Sequence, residues 1–318
     1  MIQRAGNPGR GDEWAVILAG GDGTRLKSLT RKISGDERPK QFCHITGAGT
    51  LLEQTRRRAA LEIAAKQTLY VVNRAHEPYY APLWAGEPAT NLVVQPCNRG
   101  TAPAILYSLL RIAAVDPAAL AVFFPSDHYI SDDEKFMAHI RAALDAARHR
   151  RDLVVLLGIH PESPEVEYGW IEPSQPISIP GGSRLLGVRR FWEKPNSTVA
   201  RLLQIRGCLW NSFVMVTSVA GLLEVIERAI PGLCREFTGL QRALGTRKEA
   251  ERANSLYQSL AESNFSHQVL AACPERLATL RVSGVKWNDL GEPKRVIASL
   301  SLAGLQPQWA ANLVAQPA

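Results

Sequence analysis

Five short apolar runs, each closed within a residue or two by glycine, proline or asparagine, constrain the fold more than any other feature of this chain. They are residues 14–19, 69–72, 92–94, 120–124 and 153–157. The first ends at Gly20-Gly21, the fourth at Pro125 and the fifth at Gly158. A run that is apolar at successive positions buries both faces of a strand, the pattern of parallel strands covered by helices on each side. Helical patterns lie between the runs. Residues 51–65 are rich in Leu, Ala, Arg and Glu. Residues 104–114 place Ile105, Leu109 and Ile112 on one face, with Thr101 as the expected N-cap and Pro103 tolerated in the first turn. Phe136, Ile140 and Leu144 recur every fourth residue behind the cap-like Ser131-Asp132-Asp133. Strand alternating with helix predicts a doubly wound, mainly parallel α/β sheet.

After residue 160 the rhythm breaks. Pro161, Pro164, Pro173, Pro176 and Pro180 interrupt the chain, and Gly181-Gly182 reads as a turn. Residues 184–192, 209–216 and 277–282 read as strands, and 218–230 as a helix stopped by Pro231-Gly232. This half is expected to extend the same sheet and lay a second ligand wall over the first. The expected organisation is a disordered leader over 1–13, one domain over 14–300 and a weakly ordered tail over 301–318.

A formal net charge of +7, from 37 Lys and Arg against 30 Asp and Glu, suits anionic partners. The cations are dispersed, apart from 56–58 and 148–151, which read as solvated helix ends. Clustered cations with exposed aromatics are not found, so no nucleic-acid partner is expected. Cys43, Cys97, Cys208, Cys234 and Cys273 form no C-x-x-C pair and are an odd set, neither a disulfide framework nor a zinc site. Free thiols fit a reducing compartment. With no signal-like stretch and no run of ~20 apolar residues, the expectation is a cytoplasmic protein without a membrane partner.

The strongest chemical signal is Leu18-Ala19-Gly20-Gly21-Asp22-Gly23-Thr24-Arg25-Leu26, directly after the first apolar run. Its glycines allow tight turning and close approach to a ligand, and successive backbone N–H groups can cradle phosphate. A Walker loop would need Lys after its last Gly, where Thr24 and Arg25 stand. A dinucleotide fingerprint would need Gly at Leu26. What remains is a glycine loop ending in an arginine, a permanent cation able to grip phosphate through two hydrogen bonds. Arg38-Pro39-Lys40-Gln41 adds a second cation.

The glycine loop followed by Pro-Lys-Gln resembles the sugar nucleotidyltransferases. The resemblance continues in order through the segments at 95–104, 124–128, 168–170, 191–195, 210–212 and 287–291, spanning residues 14 to about 295. Pro39-Lys-Gln-Phe42, Phe124-Pro-Ser-Asp-His128 and Trp210-Asn-Ser212 are similar to the mannose-1-phosphate guanylyltransferase branch. That branch usually has Asn at Gly100, Gly at Phe213, Glu at Gln95 and an acidic residue in the segment 265–269. These departures bear on base and sugar rather than on phosphate.

The resemblance implies a Rossmann-like nucleotidyltransferase fold with a mixed-sheet, sugar-binding extension. It implies transfer of a nucleotidyl group, from GTP or another triphosphate, to mannose 1-phosphate or another hexose or heptose 1-phosphate, with Mg²⁺ as cofactor. A regulatory homologue without catalysis is the alternative. Asp127 and Asp289 are the implied metal ligands. Arg25, Lys40, Asp127 and Lys194 carry the implied catalysis. Leu18, Ala19, Gly20, Gly21, Gly23, Thr24, Gln95, Arg99 and Thr101 surround the nucleotide, with Arg99 either touching it or bracing its loop. Gly169, Glu193, Lys194 and Asn211 hold the sugar phosphate. His128 is expected to be structural, since an ionised phosphate needs no base, and Trp170, Trp192 and Trp210 read as wall and core. The oligomeric state stays open, a homo-oligomer included.

Overall fold

Each apolar run of the first half forms a strand in the computed structural model, which describes residues 11–47, 49–84, 89–180, 185–307 and 309–310. These are β1 (Glu13–Ala19), β2 (Thr68–Asn73), β3 (Leu92–Gln95), β4 (Leu120–Pro125) and β6 (Val154–Ile159), with the short β5 (Tyr129–Ile130) between the last two. β7 (Gly169–Ile177), β8 (Leu185–Glu193), β9 (Leu209–Ser218), β10 (Leu277–Val282) and β11 (Trp287–Asn288) follow. The helices among the described residues are α1 (Lys27–Ser34), α2 (Leu51–Ala59), α3 (Glu77–Tyr80), α4 (Thr101–Ala113), α5 (Asp133–His149), α6 (Ser197–Ile205), α7 (Val219–Ala229), α8 (Pro231–Gln241), α9 (Glu249–Ser259) and α10 (Pro293–Leu302).

Nine strands make one sheet in the order β3-β2-β1-β4-β9-β6-β10-β8-β7. Its first four strands are mutually parallel. β9 then runs antiparallel between β4 and β6, so a strand of the second half enters the middle of the sheet. The sheet is therefore mixed, although only β8 and β9 oppose the common direction. Residue alternation explains the continuous apolar runs. Ala15, Ile17, Val122 and Phe124 join the core under α5, while Val16, Ala121 and Phe123 join the core under α4, α7, α8 and α9. Both faces are dry, so neither set of positions tolerates a polar residue.

Several sequence expectations need correction. The helix from Leu51 ends at Ala59 rather than 65, because the chain turns back to return Ile63 to the core. Gly100, not Thr101, caps α4: Thr101 is the first helical residue, and its hydroxyl accepts from the Phe265 N–H at 2.9 Å. Pro231 stops α7 but opens α8, where a missing N–H costs nothing. The basic runs are not solvated throughout. Arg58 is buried and pairs with Asp133 at 2.6 Å, tying α2 to α5. Arg148 pairs with Asp12 and with the buried Glu13. Glu13 accordingly belongs to β1 rather than to a leader. α10 runs past residue 300, and the Trp309 indole donates to the Ile45 carbonyl at 2.9 Å. Gly181-Gly182 and residues 1–10 lie outside the described residues. No helix of the described residues is long and apolar enough to cross a membrane.

Candidate functional site

β3, β2, β1 and β4 lie side by side in that order, and the loops that follow them build the site, as expected at the carboxyl edge of parallel strands. Gly23 takes a φ of 59° and opens the turn Thr24–Leu26 that leads into α1. A Cβ on Gly23 would stand 3.1 Å from the Lys40 nitrogen, so the glycine loop and the Pro39-Lys40-Gln41 segment touch. Gln41 is buried and donates to the carbonyls of Ala19 at 3.0 Å and Gly21 at 2.8 Å, fixing the loop. Asp22 accepts from the Asn98 amide at 2.8 Å and faces His76 at 3.1 Å, tying the loop to the ends of β2 and β3. Sequence reasoning assigned neither role.

Two cavities meet here. The first, about 410 Å³, is walled by Leu18, Gly20, Gly21, Gln95, Thr101 and Asp127, with Glu193 and Phe213 at its other side. The second, about 220 Å³, is walled by Gly23, Thr24, Arg25, Lys40 and Asp127. Asp127 borders both. Lys40 is only 8% exposed; its ammonium lies 3.2 Å from Asp127 Oδ2 and donates to the carbonyls of Asp289 and Leu290. Ala19 is buried behind the loop. Arg99 is turned aside: its guanidinium donates to the Tyr257 and Gln258 carbonyls at the end of α9, bracing the loop, and it lines neither cavity.

Asp289 accepts from the Tyr168 hydroxyl at 3.1 Å and from the Gly291 N–H at 2.9 Å, and Arg295 lies 3.5 Å away. Burial alone would raise its carboxyl, but Lys40, Arg295 and the Gly291 N–H outweigh it and hold the group below the ordinary carboxylate range. His128 is shifted the other way from a cation: burial lowers its pKa more than Asp127 raises it, and the ring packs edge-on to Trp287. Asp127 thus meets Lys40 through its carboxylate, whereas Asp289 meets it through its backbone carbonyl and keeps its carboxylate against Tyr168, Gly291 and Arg295. Among the described residues no cluster of three or more His, Cys, Asp or Glu offers a fuller metal site.

Across the first cavity, burial pushes the Glu193 carboxyl up, against Lys194, His267 and Ser266. A Cβ on Gly169 would lie 2.9 Å from the Phe191 ring and 3.2 Å from Glu193 Oε2, so this glycine keeps room for the carboxylate. Asn211 is 7% exposed and accepts from the Phe213 N–H at 3.1 Å. Lys194 stands half-exposed near Glu167, which also faces Arg25. Trp170 and Trp210 are buried, and Trp192 carries Arg190 on its face.

Lys194, Phe213 and Leu290 are the non-glycine residues with positive φ among the described residues, at 44°, 59° and 50°. Each adjoins the site, following Glu193 and Asp289 or lining the first cavity. A left-handed conformation costs a side-chain-bearing residue roughly 1–2 kcal/mol, and such strain persists where surrounding contacts demand it. Gly100, at φ 85°, is a further constraint: a Cβ there would meet the Ser263 carbonyl oxygen at 2.4 Å. Gly100→Ala is expected to destabilise the protein by about 3 kcal/mol, from strain plus clash. Urea unfolding checks this, and an unchanged midpoint would contradict it.

The family model described as "Nucleotidyl transferase" matches residues 14–301. The chain belongs to this family. Alginate biosynthesis protein AlgA of Pseudomonas aeruginosa is 33% identical over 219 residues, covering 67% of this chain and 43% of AlgA. Mannose-1-phosphate guanylyltransferase 2 of Escherichia coli is 32% identical over 230 residues, covering 69% of this chain and 46% of that protein. The chain spans about half the length of the curated relatives it matches. A crystal structure from Thermus thermophilus, described as a mannose-1-phosphate geranyltransferase, superposes with TM-score 0.76 at 28% identity, over 93% of this chain and 80% of that one. A UDP-glucose pyrophosphorylase complexed with UDP-glucose shares the fold, with TM-score 0.58 at 13% identity over 91% of this chain and 97% of that one. The two solved structures thus share this chain's fold.

Proposed function

We propose that this nucleotidyl transferase joins a nucleoside triphosphate, GTP, to a sugar 1-phosphate, mannose 1-phosphate, giving GDP-mannose and pyrophosphate. The observation that carries the proposal is Asp127 at the junction of two cavities, one sized for a nucleoside and one lined by Lys40 and Arg25. Names among the relatives support the choice of sugar and base.

In this reading a phosphate oxygen of the sugar phosphate attacks the α-phosphorus, and the bond to the β-phosphate breaks. Both partners are anions, so catalysis is chiefly electrostatic and orientational. Arg25 and Lys40 stabilise charge on the transferred group and on the departing pyrophosphate. Backbone N–H groups of the glycine loop orient the phosphates. Lys194 neutralises the sugar phosphate, and Glu193 and Asn211 bind sugar hydroxyls. A covalent nucleophile and a general base are not required.

The donor set fits a divalent cation of magnesium type, for which Asp127 and Asp289 are the ligands. Two carboxylates at hand, with the remaining positions left to water and phosphate, match the preference of Mg²⁺. Such an ion supplies charge neutralisation at the phosphates when bound. The five cysteines are free, which agrees with a cytoplasmic setting.

Pyrophosphate release measured over a panel of triphosphates and sugar 1-phosphates tests the assignment. GTP with mannose 1-phosphate is expected to give the highest kcat/KM. A different best pair would favour the same chemistry on another base or another hexose or heptose 1-phosphate, for which the left-handed Phe213 in the cavity wall and the buried Ser266 speak. No pyrophosphate from any pair would overturn both.

A further inference from the structure

Glu167 stands between the two cations that the proposed reaction needs at opposite phosphates. Its Oε2 lies 3.0 Å from the Arg25 guanidinium and 3.6 Å from the Lys194 ammonium. Arg25 arrives on the glycine loop after β1, and Lys194 from the end of β8. Three separate segments therefore converge on one carboxylate oxygen.

Glu167 is not a loose surface residue. Glu165 Oε1 accepts from the N–H groups of Val166 at 3.0 Å and Glu167 at 3.2 Å. The Glu165 carbonyl accepts from the Trp170 indole at 2.8 Å, and its carboxylate faces Arg295 at 3.6 Å. The next residue, Tyr168, is buried and donates to Asp289. The loop is thus pinned on both sides of Glu167, which aims its carboxylate at the cations. Lys194 in turn is held at φ 44°, a conformation that fixes where its side chain departs.

We infer that Glu167 is a tethered counter-ion that occupies Arg25 and Lys194 in the empty enzyme and competes with substrate phosphate for them. This inference rests on the assignment of both cations to phosphate binding. A carboxylate and a phosphate oxygen seek the same donors, and a phosphate with two negative charges binds them more strongly. Entry of the phosphates therefore displaces Glu167 from both. The arrangement keeps two neighbouring cations from repelling each other without substrate. It also weakens phosphate affinity, which favours release of pyrophosphate. The three side chains are 37–51% exposed, so each contact is worth little alone. Together they set a moderate effect.

The test compares Glu167→Gln with the wild-type full chain. Gln keeps the shape and removes the charge. Inorganic pyrophosphate binding is measured by calorimetry, and KM and kcat by initial rates with the best substrate pair. Pyrophosphate is expected to bind the variant about three- to tenfold more tightly, and the sugar-phosphate KM to fall by a similar factor. The gain shrinks at high salt, because exposed charges are screened. A kcat lowered with KM unchanged would show Glu167 orienting the cations and would overturn the inference. So would unchanged pyrophosphate affinity in a variant whose thermal unfolding matches wild type. If the wild type transfers no nucleotidyl group yet the variant binds pyrophosphate more tightly, the counter-ion stands and the substrate assignment falls.

Discussion

Asp127→Asn is expected to lower kcat on the order of a thousandfold while leaving the protein folded. The residue is placed where loss of charge matters and loss of shape does not. Its carboxylate borders both cavities, and its side chain is 29% exposed. Asn fills the same volume and can still face Lys40. The lost ion pair at 3.2 Å is partly solvated, so its stability cost is about 1 kcal/mol or less. At the reacting phosphates the same charge holds the divalent cation proposed for the site. Removing it acts on the transition state more than on ground-state binding, so kcat falls further than KM rises. Circular dichroism and thermal unfolding establish that the variant is folded, and pyrophosphate release gives the rate. Retention of more than about a tenth of wild-type turnover would remove Asp127 from the machinery. It would also revive the reading of this chain as a non-catalytic homologue.

Lys40→Met is expected to combine two losses that can be separated. The ammonium donates to the carbonyls of Asp289 and Leu290 and pairs with Asp127. Met has similar length but no donor, so two carbonyl acceptors, one in a buried contact and one part-buried, lose their partner, a cost of about 1–3 kcal/mol. That loss appears as a lower unfolding midpoint. The second loss is a cation beside the triphosphate, which lowers kcat/KM by roughly a hundredfold to a thousandfold. Stabilising the variant with osmolyte should restore folding but not turnover. Lys40→Arg should rescue little, since a planar guanidinium does not reproduce the point contacts of the ammonium with the Asp289 and Leu290 carbonyls and Asp127. A fully active Lys40→Met protein would mean that this lysine only braces the Asp289 loop.

The strands of the first half were legible because burial on both faces leaves an unmistakable apolar run. β9 was legible as a strand but not as the strand between β4 and β6, since pairing partners 51–98 residues away in sequence leave no local mark. Ends of elements were set by tertiary contacts: Ile63 needed a place in the core, and Gly100 was needed beneath the Ser263 carbonyl. The basic runs misled because charge patterning alone cannot reveal a partner such as Asp133 or Glu13 on another element. In the site, the residues to which chemistry is assigned stand inside short motifs. Those that position them do not. Gln41 and Asp22 act through backbone carbonyls and an amide on distant loops. Tyr168 acts on Asp289 from 121 residues away, and Arg295 does so from the first turn of α10. Glu167, next to the Tyr168-Gly169-Trp170 segment, offered the one available signal: an acidic side chain beside residues assigned to an anionic substrate.

The central claim is that a triphosphate lies on the glycine loop while a divalent ion sits between the carboxylates of two distant segments. Crystals grown with a non-hydrolysable GTP analogue and Mn²⁺ address it directly through the anomalous signal of the metal. The account predicts a peak coordinated by Asp127 and Asp289, with phosphate oxygens against the backbone of residues 20–25. A triphosphate bound elsewhere, or a metal peak on other side chains with both carboxylates still facing Lys40 and Arg295, would contradict it.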